Sequence, residues 1–404
     1  METKENNEDC KTWETWDEML PLPTTVVRGI YAHGFDKPSP IQQKAIVPML
    51  TSVKITKDDK TFERRPDMIV QAQSGTGKTG CFSVGALSVV DPELDKTQVI
   101  VLCHTHELAA QILEVMKSIG AYTGIRILKV VGGSPVEADK RKLDGSTPHI
   151  IIATPGRVHD LIRRKYINTD SIGLVIVDEA DEMLTEGFKD QLYNIFKFMP
   201  NMVQITLFSA TMPAELKELT LFFLEKPVCI YVKAAALTLQ GITQWKIYLE
   251  NDEHKYRTLK DIYQGAAGLS QTIIYCNSTK RVDDLHEALV TDGFPASKIH
   301  GKMEDYERKA VDADFRAGKA RTLVTSDLFA RGVDIQQVGV VINFDVPKSE
   351  HTYIHRIGRS GRFGRKGYAI NFASKQDAVK LQSFEVIYDT QIDEFPSNWK
   401  DKIN

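Results

Sequence analysis

The stretch at positions 67–80, DMIVQAQSGTGKTG, contains residues whose types and spacing can bind a nucleoside triphosphate. An apolar run ends at Val70, a glycine-containing loop follows, and then a helix pattern begins. In such a loop the backbone N–H groups surround the phosphates, Lys78 reaches the β- and γ-phosphates, and the Thr79 hydroxyl binds Mg²⁺. The remaining loop positions predicted to contact nucleotide are Ser74, Gly75, Thr76 and Gly77. A glycine turn with an incidental lysine is the alternative interpretation of this stretch.

Two acidic residues can supply the second half of this chemistry. The apolar run at 174–177 ends in Asp178 and Glu179, which begin the sequence DEAD. A buried strand of a parallel sheet places such residues at its carboxyl end, where ligands bind. Asp178 can there bind the metal, directly or through water, and Glu179 can orient and deprotonate the attacking water. Acids that only begin a helix are the alternative, but beside a phosphate loop these two predict hydrolysis of ATP.

An aromatic residue and an amide upstream of the loop can contact the base of the nucleotide. The Gln42 side chain carries a donor and an acceptor that match the N6/N7 edge of adenine, and Phe35 can stack on the ring. Gln42 could equally cap a helix or lie on the surface. The adenine contacts are therefore the weaker part of the predicted nucleotide site.

An arginine-dense stretch, HRIGRSGR at 355–362, lies far downstream in a half of the chain that has no phosphate loop. Its interleaved glycines leave room for guanidinium groups to approach a phosphate closely. The first half therefore offers the nucleotide and metal residues, and the second half offers arginines. Because catalysis needs both, we expect the two halves to close on each other during turnover.

The chain has 404 residues, a length that fits two domains of about 200 residues each. Its composition, 42% hydrophobic and 26% charged, is that of a globular protein, and no apolar segment is long enough to cross a membrane. The N-terminus is acidic and polar, unlike a signal peptide, so we expect a cytoplasmic protein, with a nuclear location as the alternative. A net charge of −3 argues against a surface that binds nucleic acid everywhere, but allows a local basic cleft.

The elements that must position these residues follow an alternating order of strands and helices. Such alternation predicts an α/β fold whose parallel sheets are covered by helices on both faces. The strand-like runs are 68–70, 99–102, 125–131, 150–152, 174–177 and 205–208, and then 272–275, 296–299, 322–325, 340–343 and 368–372. A charged insertion at 53–65 is predicted to be an exposed β-hairpin or loop. The predicted order is a disordered N-terminus (1–11), a first domain (12–232), a linker (233–244) and a second domain (245–404).

The motifs in this order resemble those of the DEAD-box RNA helicases. The resemblance rests on AQSGTGKT, DEAD, Ser209-Ala210-Thr211 and HRIGRSGR, and it extends from about Trp16 to the C-terminus. It implies two RecA-like parallel-sheet domains in tandem, joined by a short linker. It also implies ATP and Mg²⁺ as cofactors, and RNA-stimulated ATP hydrolysis coupled to domain closure, RNA bending and local unwinding, with translation initiation as the cellular role.

The resemblance also implies a role for individual residues. Ser209, Thr211 and His355 would couple the nucleotide site to RNA, Asp334 would contact the ribose, and Arg359 and Arg362 would be arginine fingers. Residues of the RNA-gripping motifs are Thr105, Gly132, Gly133, Thr154, Pro155, Gly156, Arg157, Asn277, His300, Gly301, Thr325 and Gly332. Contacts of this kind bind sugar and phosphate, so single strands and short duplexes should be bound independently of sequence.

The motif at 104–109 departs from the family pattern. Where the family usually has the sequence PTRELA, this chain has HTHELA at 104–109, so His106 replaces an arginine that would bind phosphate.

The alternative function is an ATP-gated RNA clamp that serves as an assembly platform with little unwinding. Expected partners are RNA and a scaffold protein of helical repeats, with no membrane, and the chain itself is expected to be monomeric.

Overall fold

The computed structural model describes residues 13–57, 60–72, 75–184, 188–212, 214–231, 241–265, 271–327, 338–360 and 366–403. The chain divides into two compact units, 1–233 and 234–404. The N-terminal segment predicted to be disordered, and most of the predicted linker, lie outside the described residues. Positions 242–244, which the sequence assigned to the linker, are the first residues of a strand.

The first unit contains a seven-stranded sheet, a separate hairpin and eight described α-helices. The helices are α1 (Thr24–Ala32), α2 (Pro40–Leu50), α3 (Lys78–Val89), α4 (His106–Ile119), α5 (Val136–Gly145), α6 (Pro155–Arg163), α7 (Lys189–Lys197) and α8 (Ala214–Phe223). The hairpin is β1 (Val53–Lys57) and β2 (Lys60–Arg64). The sheet strands are β3 (Met68–Gln71), β4 (Val99–Leu102), β5 (Ile127–Val130), β6 (Ile150–Ala153), β7 (Leu174–Val177), β8 (Gln204–Ser209) and β9 (Val228–Tyr231). They run parallel in the order β5-β6-β4-β7-β8-β3-β9.

The central strands show why the sequence forms a doubly covered sheet. Every residue of β4 and β7 is buried. Along β4, Val99 and Val101 pack into the apolar cluster on one face, while Ile100 and Leu102 pack into the cluster on the other. Successive side chains of a strand point to opposite faces, so a run of apolar residues is stable only when both faces are covered. The predicted α/β class is confirmed.

The charged insertion forms the predicted antiparallel hairpin, with Val53 paired to Arg64 and Lys57 to Lys60. Most described residues of the hairpin are exposed, but Arg64 is not. This guanidinium is buried, lies 2.8 Å from Asp67 Oδ2, and donates a hydrogen bond to the Val203 carbonyl oxygen. The hairpin is thus fixed to the sheet at its last residue, because a buried charge requires a partner of opposite sign.

The second unit repeats the architecture. Its helices are α9 (Asp252–Gly265), α10 (Thr279–Thr291), α11 (Asp305–Arg316), α12 (Glu350–Ile357), α13 (Asp377–Tyr388) and α14 (Trp399–Ile403). Its strands are β10 (Ile242–Tyr248), β11 (Gln271–Tyr275), β12 (Ser297–Ile299), β13 (Thr322–Thr325), β14 (Val338–Asn343), β15 (Gly367–Ala373) and β16 (Asp393–Glu394). They run parallel in the order β12-β13-β11-β14-β15-β10-β16.

Arg356 holds the second unit together from inside, although it belongs to the arginine-dense stretch. Its side chain is fully buried. The guanidinium donates hydrogen bonds to Asn277 Oδ1 at 2.8 Å and to the Asp345 carbonyl oxygen at 2.7 Å, and it is ion-paired with Asp327. High arginine density therefore does not mean that every guanidinium faces a phosphate, and this one is structural.

Arg356→Ala should destabilise the second unit by about 3–5 kcal/mol, because removing one partner leaves buried acceptors without a donor. Urea-induced unfolding followed by circular dichroism would measure the loss. Arg316→Ala is the matched control, since Arg316 is 39% exposed and paired with Asp312, and should cost less than about 1 kcal/mol. Equal losses in the two variants would contradict a structural role for Arg356.

Candidate functional site

The phosphate loop lies between β3 and α3, as its sequence predicts. Gly75 and Gly77 have φ angles of 82° and 97°, in the left-handed region that favours glycine, and Gly77 is the N-cap of α3. Lys78, the first residue of the helix, is buried, and its ammonium has no hydrogen-bond partner among the described residues. A buried ammonium at a helix N-terminus is an arrangement that fits an anion. Ser74 lies outside the described residues.

The predicted adenine residues lie beside this loop. Gln42 Oε1 accepts a hydrogen bond from the Ser39 N–H at 2.7 Å, which closes a capping box at the start of α2. Gln42 Nε2 donates to the Gly77 carbonyl oxygen at 3.1 Å. Gln42 therefore caps helix α2, which was one of the two alternatives to adenine binding. The same side-chain amide is also bonded to the phosphate loop through Gly77.

Phe35 packs over the first turn of α3. A Cβ atom added to Gly80 would lie 2.8 Å from Phe35 Cε2 and 2.7 Å from Gln42 Nε2. Only glycine leaves room for this approach. The structure thus places Phe35 and Gln42 together at the edge of the phosphate loop, where a base attached to the bound phosphates could reach them.

The two acids predicted to act in hydrolysis follow β7, and hydrogen bonds fix their backbone on both sides. The Asp178 N–H donates to the Leu102 carbonyl oxygen at 2.9 Å, which continues the pairing of β7 with β4. Glu179 has a φ of 50°, and its N–H donates to Asp178 Oδ1 at 3.0 Å. A non-glycine residue in this region is strained and persists only where neighbours determine its position. Strain of this kind is common at functional sites and agrees with the role predicted for Glu179.

Burial gives Asp178 unusual electrostatics. Burial and, to a smaller extent, the negative charge of Glu179 together raise the pKa of Asp178 from 3.8 to about 7, while the Lys78 charge acts in the opposite direction. A carboxyl group in this state gains much from a cation placed beside it. The raised pKa therefore favours metal binding at Asp178.

Asp178→Asn should stabilise the chain at about pH 8 when nucleotide and metal are absent. Because the folded pKa of Asp178 is raised, folding loses stability as pH rises from about 4 to about 7, and the full penalty remains above that window. An uncharged amide removes the penalty, so the free energy of unfolding should rise by about 1–4 kcal/mol. Urea-induced unfolding at about pH 8 and about pH 4 measures the difference, which should vanish at the lower pH.

Asp190→Asn is the matched control for this prediction. Asp190 lies in the first turn of α7 and is exposed. The same change of charge there should leave stability nearly unchanged at both pH values. An Asp178→Asn variant less stable than the native chain at about pH 8 would contradict the prediction.

The donors present fit a magnesium ion that completes its coordination with water and phosphate. Asp178 supplies a buried carboxylate and Thr79 supplies a hydroxyl in the first turn of α3. Within the described ranges no group of three or more His, Cys, Asp or Glu side chains could hold a metal. Magnesium commonly binds through one or two carboxylates together with substrate phosphates, so this sparse set is appropriate.

A histidine missed by the sequence analysis lies against the second acid. His104 Nδ1 is 3.3 Å from Glu179 Oε2, and each side chain is only 7% exposed. The contact follows from the strand pairing, because Leu102 pairs with Val177 in neighbouring parallel strands. His104 lies two residues after Leu102, and Glu179 lies two residues after Val177. Parallel strands in register bring such residues together at the same edge of the sheet.

Ser209 and Thr211, predicted to couple the sites, are bonded to the DEAD sequence. Thr211 Oγ1 donates a hydrogen bond to Asp181 Oδ2 at 2.7 Å, and the Thr211 N–H donates to Ser209 Oγ at 3.2 Å. The Ala72 N–H in turn donates to the Ser209 carbonyl oxygen at 3.0 Å. A continuous set of hydrogen bonds therefore connects the phosphate loop, the end of β8 and the acids.

The RNA-gripping residues predicted in the first unit lie at the carboxyl ends of its strands, but several are already engaged. Thr105 is the N-cap of α4 and accepts a hydrogen bond from the Leu108 N–H. Arg157 is ion-paired with the buried Asp139. The remaining members begin α6 or lie in the loop after β5: Thr154, Pro155, Gly156, Gly132 and Gly133. The prediction did not foresee that Arg157 connects α6 to α5.

His106 lies beside the two glycines predicted to grip RNA. A Cβ atom added to Gly132 would be 3.6 Å from His106 Nε2, and one added to Gly133 would be 3.6 Å from His106 Cε1. The imidazole therefore lies next to this loop, close enough that a methyl group on either glycine would touch it. Any charge on His106 would act directly on whatever the loop binds.

In the second unit the predicted RNA residues are well bonded within the fold. Asn277 accepts from Arg356 and donates from Nδ2 to the Val346 carbonyl oxygen at 2.9 Å. His300 Nε2 lies 3.1 Å from Asp283 Oδ1. Thr325 is fully buried and donates to the Ile299 carbonyl oxygen at 2.8 Å, so its side chain supports the strand ends.

The predicted coupling residue His355 lies in the last turn of α12, and Arg359, a predicted arginine finger, lies two residues after the helix. His355 and Arg359 are buried, and Arg359 Nε donates to the His355 carbonyl oxygen at 3.2 Å. Gly301 follows His300 in a turn before α11. Three further predicted positions lie outside the described residues: Gly332, Asp334 and Arg362. Their roles therefore stay predictions.

Comparison with known families and proteins assigns both halves of the chain. Residues 39–219 match the DEAD/DEAH box helicase family, and residues 254–364 match the helicase conserved C-terminal domain. Eukaryotic initiation factor 4A of Caenorhabditis elegans is 46% identical over 390 residues, which cover 96% of this chain and 93% of the relative. The ATP-dependent RNA helicase eIF4A of Neurospora crassa is 44% identical over 399 residues, covering 99% and 96%.

Solved structures give the same result for the fold. S. cerevisiae Dbp5 bound to RNA and ADP BeF3 superposes with a TM-score of 0.84 at 32% sequence identity, covering 96% of this chain and 98% of that chain. The predicted tandem of RecA-like sheets is confirmed by this likeness and by the two parallel seven-stranded sheets.

Proposed function

This chain belongs to the DEAD/DEAH box helicases as an ATP-dependent RNA helicase, and from that premise we propose that the two units close on ATP and a bent RNA strand. One unit supplies the phosphate loop and the two acids, and the other supplies guanidinium groups from HRIGRSGR. ATP and RNA then bind cooperatively, a short duplex loses a strand, and hydrolysis reopens the clamp. The observation that carries the proposal is the buried Lys78 beside the Asp178–Glu179 pair.

Each residue near the nucleotide has a distinct task in this proposal. Lys78 holds the β- and γ-phosphates, while Thr79 and Asp178 would hold Mg²⁺, which neutralises charge on the transferred phosphoryl group. Glu179 orients the attacking water and accepts its proton. Phe35 and Gln42 contact adenine, and Asp334 contacts the ribose. Arg359 and Arg362 stabilise the transition-state charge.

RNA-stimulated ATP hydrolysis and unwinding of a short duplex test this proposal together. Duplex release that requires ATP, with hydrolysis accelerated by single-stranded RNA, is the expected result. The second candidate function is an ATP-gated clamp, favoured by the histidine at 106, where the family motif usually has an arginine that would bind phosphate. ATP-dependent retention on single strands without duplex release would support the clamp instead.

The RNA grip should be independent of base sequence, because the residues assigned to it contact sugar and phosphate. RNA-bound structures are known for the similar Dbp5. We assign to this grip in the first unit Thr105, Gly132, Gly133, Thr154, Pro155, Gly156 and Arg157. Its members in the second unit are Asn277, His300, Gly301, Thr325 and Gly332. Ser209, Thr211 and His355 would connect the grip to the nucleotide site.

RNA affinity should rise as pH falls from about 7.5 to about 6, because an imidazole gains positive charge in this range and His106 lies beside the Gly132–Gly133 loop. His106→Arg should flatten this dependence, since arginine keeps its charge. Fluorescence anisotropy at one stated salt concentration gives the affinities. A slope that persists unchanged in the variant would contradict a contact between His106 and RNA.

We place the chain in translation initiation, with the names of its relatives as support. A scaffold of helical repeats is the expected protein partner, and the isolated chain is expected to be a monomer. No described helix is long and apolar enough to cross a membrane. A cytoplasmic location is proposed, with a nuclear one as the alternative, and a pull-down from the native cell would identify the partners.

A further inference from the structure

We propose that His104 is a positioning residue for ATP hydrolysis, which holds one carboxylate oxygen of Glu179 and so leaves the other oriented toward the attacking water. The inference rests on the proposed role of Glu179 as the base. It starts from the 3.3 Å separation between His104 Nδ1 and Glu179 Oε2, in a place where both side chains are almost completely buried.

The backbone makes this contact a fixed feature of the sheet. β4 and β7 are paired from Val99 with Leu174 to Leu102 with Val177, and the Asp178 N–H extends the pairing to the Leu102 carbonyl oxygen. His104 also lies two residues before α4, whose N-cap Thr105 is bonded to the Leu108 N–H. The imidazole is therefore held between a strand end and a helix start. A base on rigid elements keeps its orientation better than one on a loop.

The Glu179 side chain needs such a support. Three dihedral angles separate its carboxylate from a backbone that is itself strained at a φ of 50°. The Glu179 N–H is fixed by Asp178, and its carbonyl oxygen accepts hydrogen bonds from the N–H groups of Glu182 and Met183. These bonds fix the backbone but not the carboxylate. The imidazole contacts the part of the residue that the backbone bonds leave adjustable.

The charged groups around this pair are mostly acidic. Asp178 and Asp181 lie on the same loop, and Lys78 lies across the cleft on α3 and acts on Asp178. On the side of His104, Glu107 in the first turn of α4 adds a further negative charge. A side-chain N–H that contacts one oxygen of a carboxylate orients the group and leaves the other oxygen to accept the proton.

The test compares variants that differ in where a side-chain nitrogen is placed. Asparagine at position 104 keeps an amide nitrogen near the place of Nδ1, and glutamine places it farther out, near Nε2. Single-turnover and steady-state ATP hydrolysis at saturating RNA would be measured for His104→Ala, His104→Asn and His104→Gln. His159→Ala is the control for loss of a half-buried histidine elsewhere in the first unit.

We expect His104→Ala to lower kcat about tenfold, since a misplaced catalytic group costs about that factor or more. The KM for ATP and the RNA affinity should change by less than about twofold. His104→Asn should restore kcat to within about threefold of the native value, and His104→Gln should not. In the Glu179→Gln background, His104→Ala should cause no further loss.

The proposal fails if kcat of His104→Ala equals that of the native chain, or if KM rises in proportion. Equal activity of the asparagine and glutamine variants would also overturn it, and this comparison stays decisive if the alanine variant does not fold. Glu179→Gln distinguishes a failure of the role of Glu179 as the base from a failure of the positioning role of His104. Hydrolysis retained there removes Glu179 as the base, whereas its loss beside a fully active His104→Ala overturns only the role of His104.

Discussion

Glu179→Gln is expected to reduce RNA-stimulated ATP hydrolysis by about 10²–10⁴-fold and to leave ATP-dependent RNA binding intact. An amide has nearly the shape of the carboxylate but cannot accept the proton of the attacking water, so the loss falls on the chemical step. Nucleotide binding is assigned to Lys78, Thr79 and Asp178, which the substitution does not change. The variant should therefore close on RNA with ATP and fail to release it.

Phosphate release at saturating ATP and RNA, combined with RNA binding in the presence of ATP, would measure the two effects separately. Glu114→Gln is the matched control, because Glu114 is exposed on α4 and undergoes the same chemical change. It should retain native turnover. If Glu179→Gln hydrolyses ATP at the native rate, the residue is not the base, whatever its position and strain indicate.

Arg359→Ala combined with Arg362→Ala should reduce turnover by about 10³–10⁵-fold, the usual contribution of arginine fingers to phosphoryl transfer. These guanidinium groups are assigned to the transition state, so ATP affinity measured without RNA should change by only a few fold. Rapid-mix measurements with a fluorescent nucleotide would give binding, and phosphate release would give turnover.

Arg163→Ala combined with Arg164→Ala controls for the loss of two positive charges. Both residues end α6 or follow it, are 66% and 45% exposed, and pair with Asp160. This double variant should hydrolyse ATP normally. Native turnover in the Arg359 and Arg362 double variant would show that the second unit supplies no essential charge to the reaction.

The sequence predicted the fold well because apolar periodicity and turn residues agreed along most of the chain. The apolar run at 174–177 is followed by acidic residues that are typical of a strand end, and β7 covers the same positions. β9, β10 and β16 were missed. The last two lie at one edge of the second sheet, where β10 mixes exposed and buried residues and so lacks a continuous apolar run.

The site was predicted where a local motif contained it and missed where only tertiary pairing created it. Lys78 and the acids could be placed from strand and loop patterns alone. The contact of His104 with Glu179 depends on which strands are neighbours, and the order of strands is not local information. Arg356 shows the same limit, because the arginine density of its stretch suggested a phosphate, while its partners are the Asn277 amide, the Asp345 carbonyl oxygen and the Asp327 carboxylate.

The central claim is that nucleotide bound by one unit is hydrolysed efficiently only when RNA brings the second unit to it. The most direct measurement is ATP turnover by the native chain with Mg²⁺, with and without single-stranded RNA. We predict slow turnover without RNA and an increase of about tenfold or more when RNA saturates the protein. Turnover of the same rate in both conditions, by a chain that binds RNA and ATP, would contradict the account.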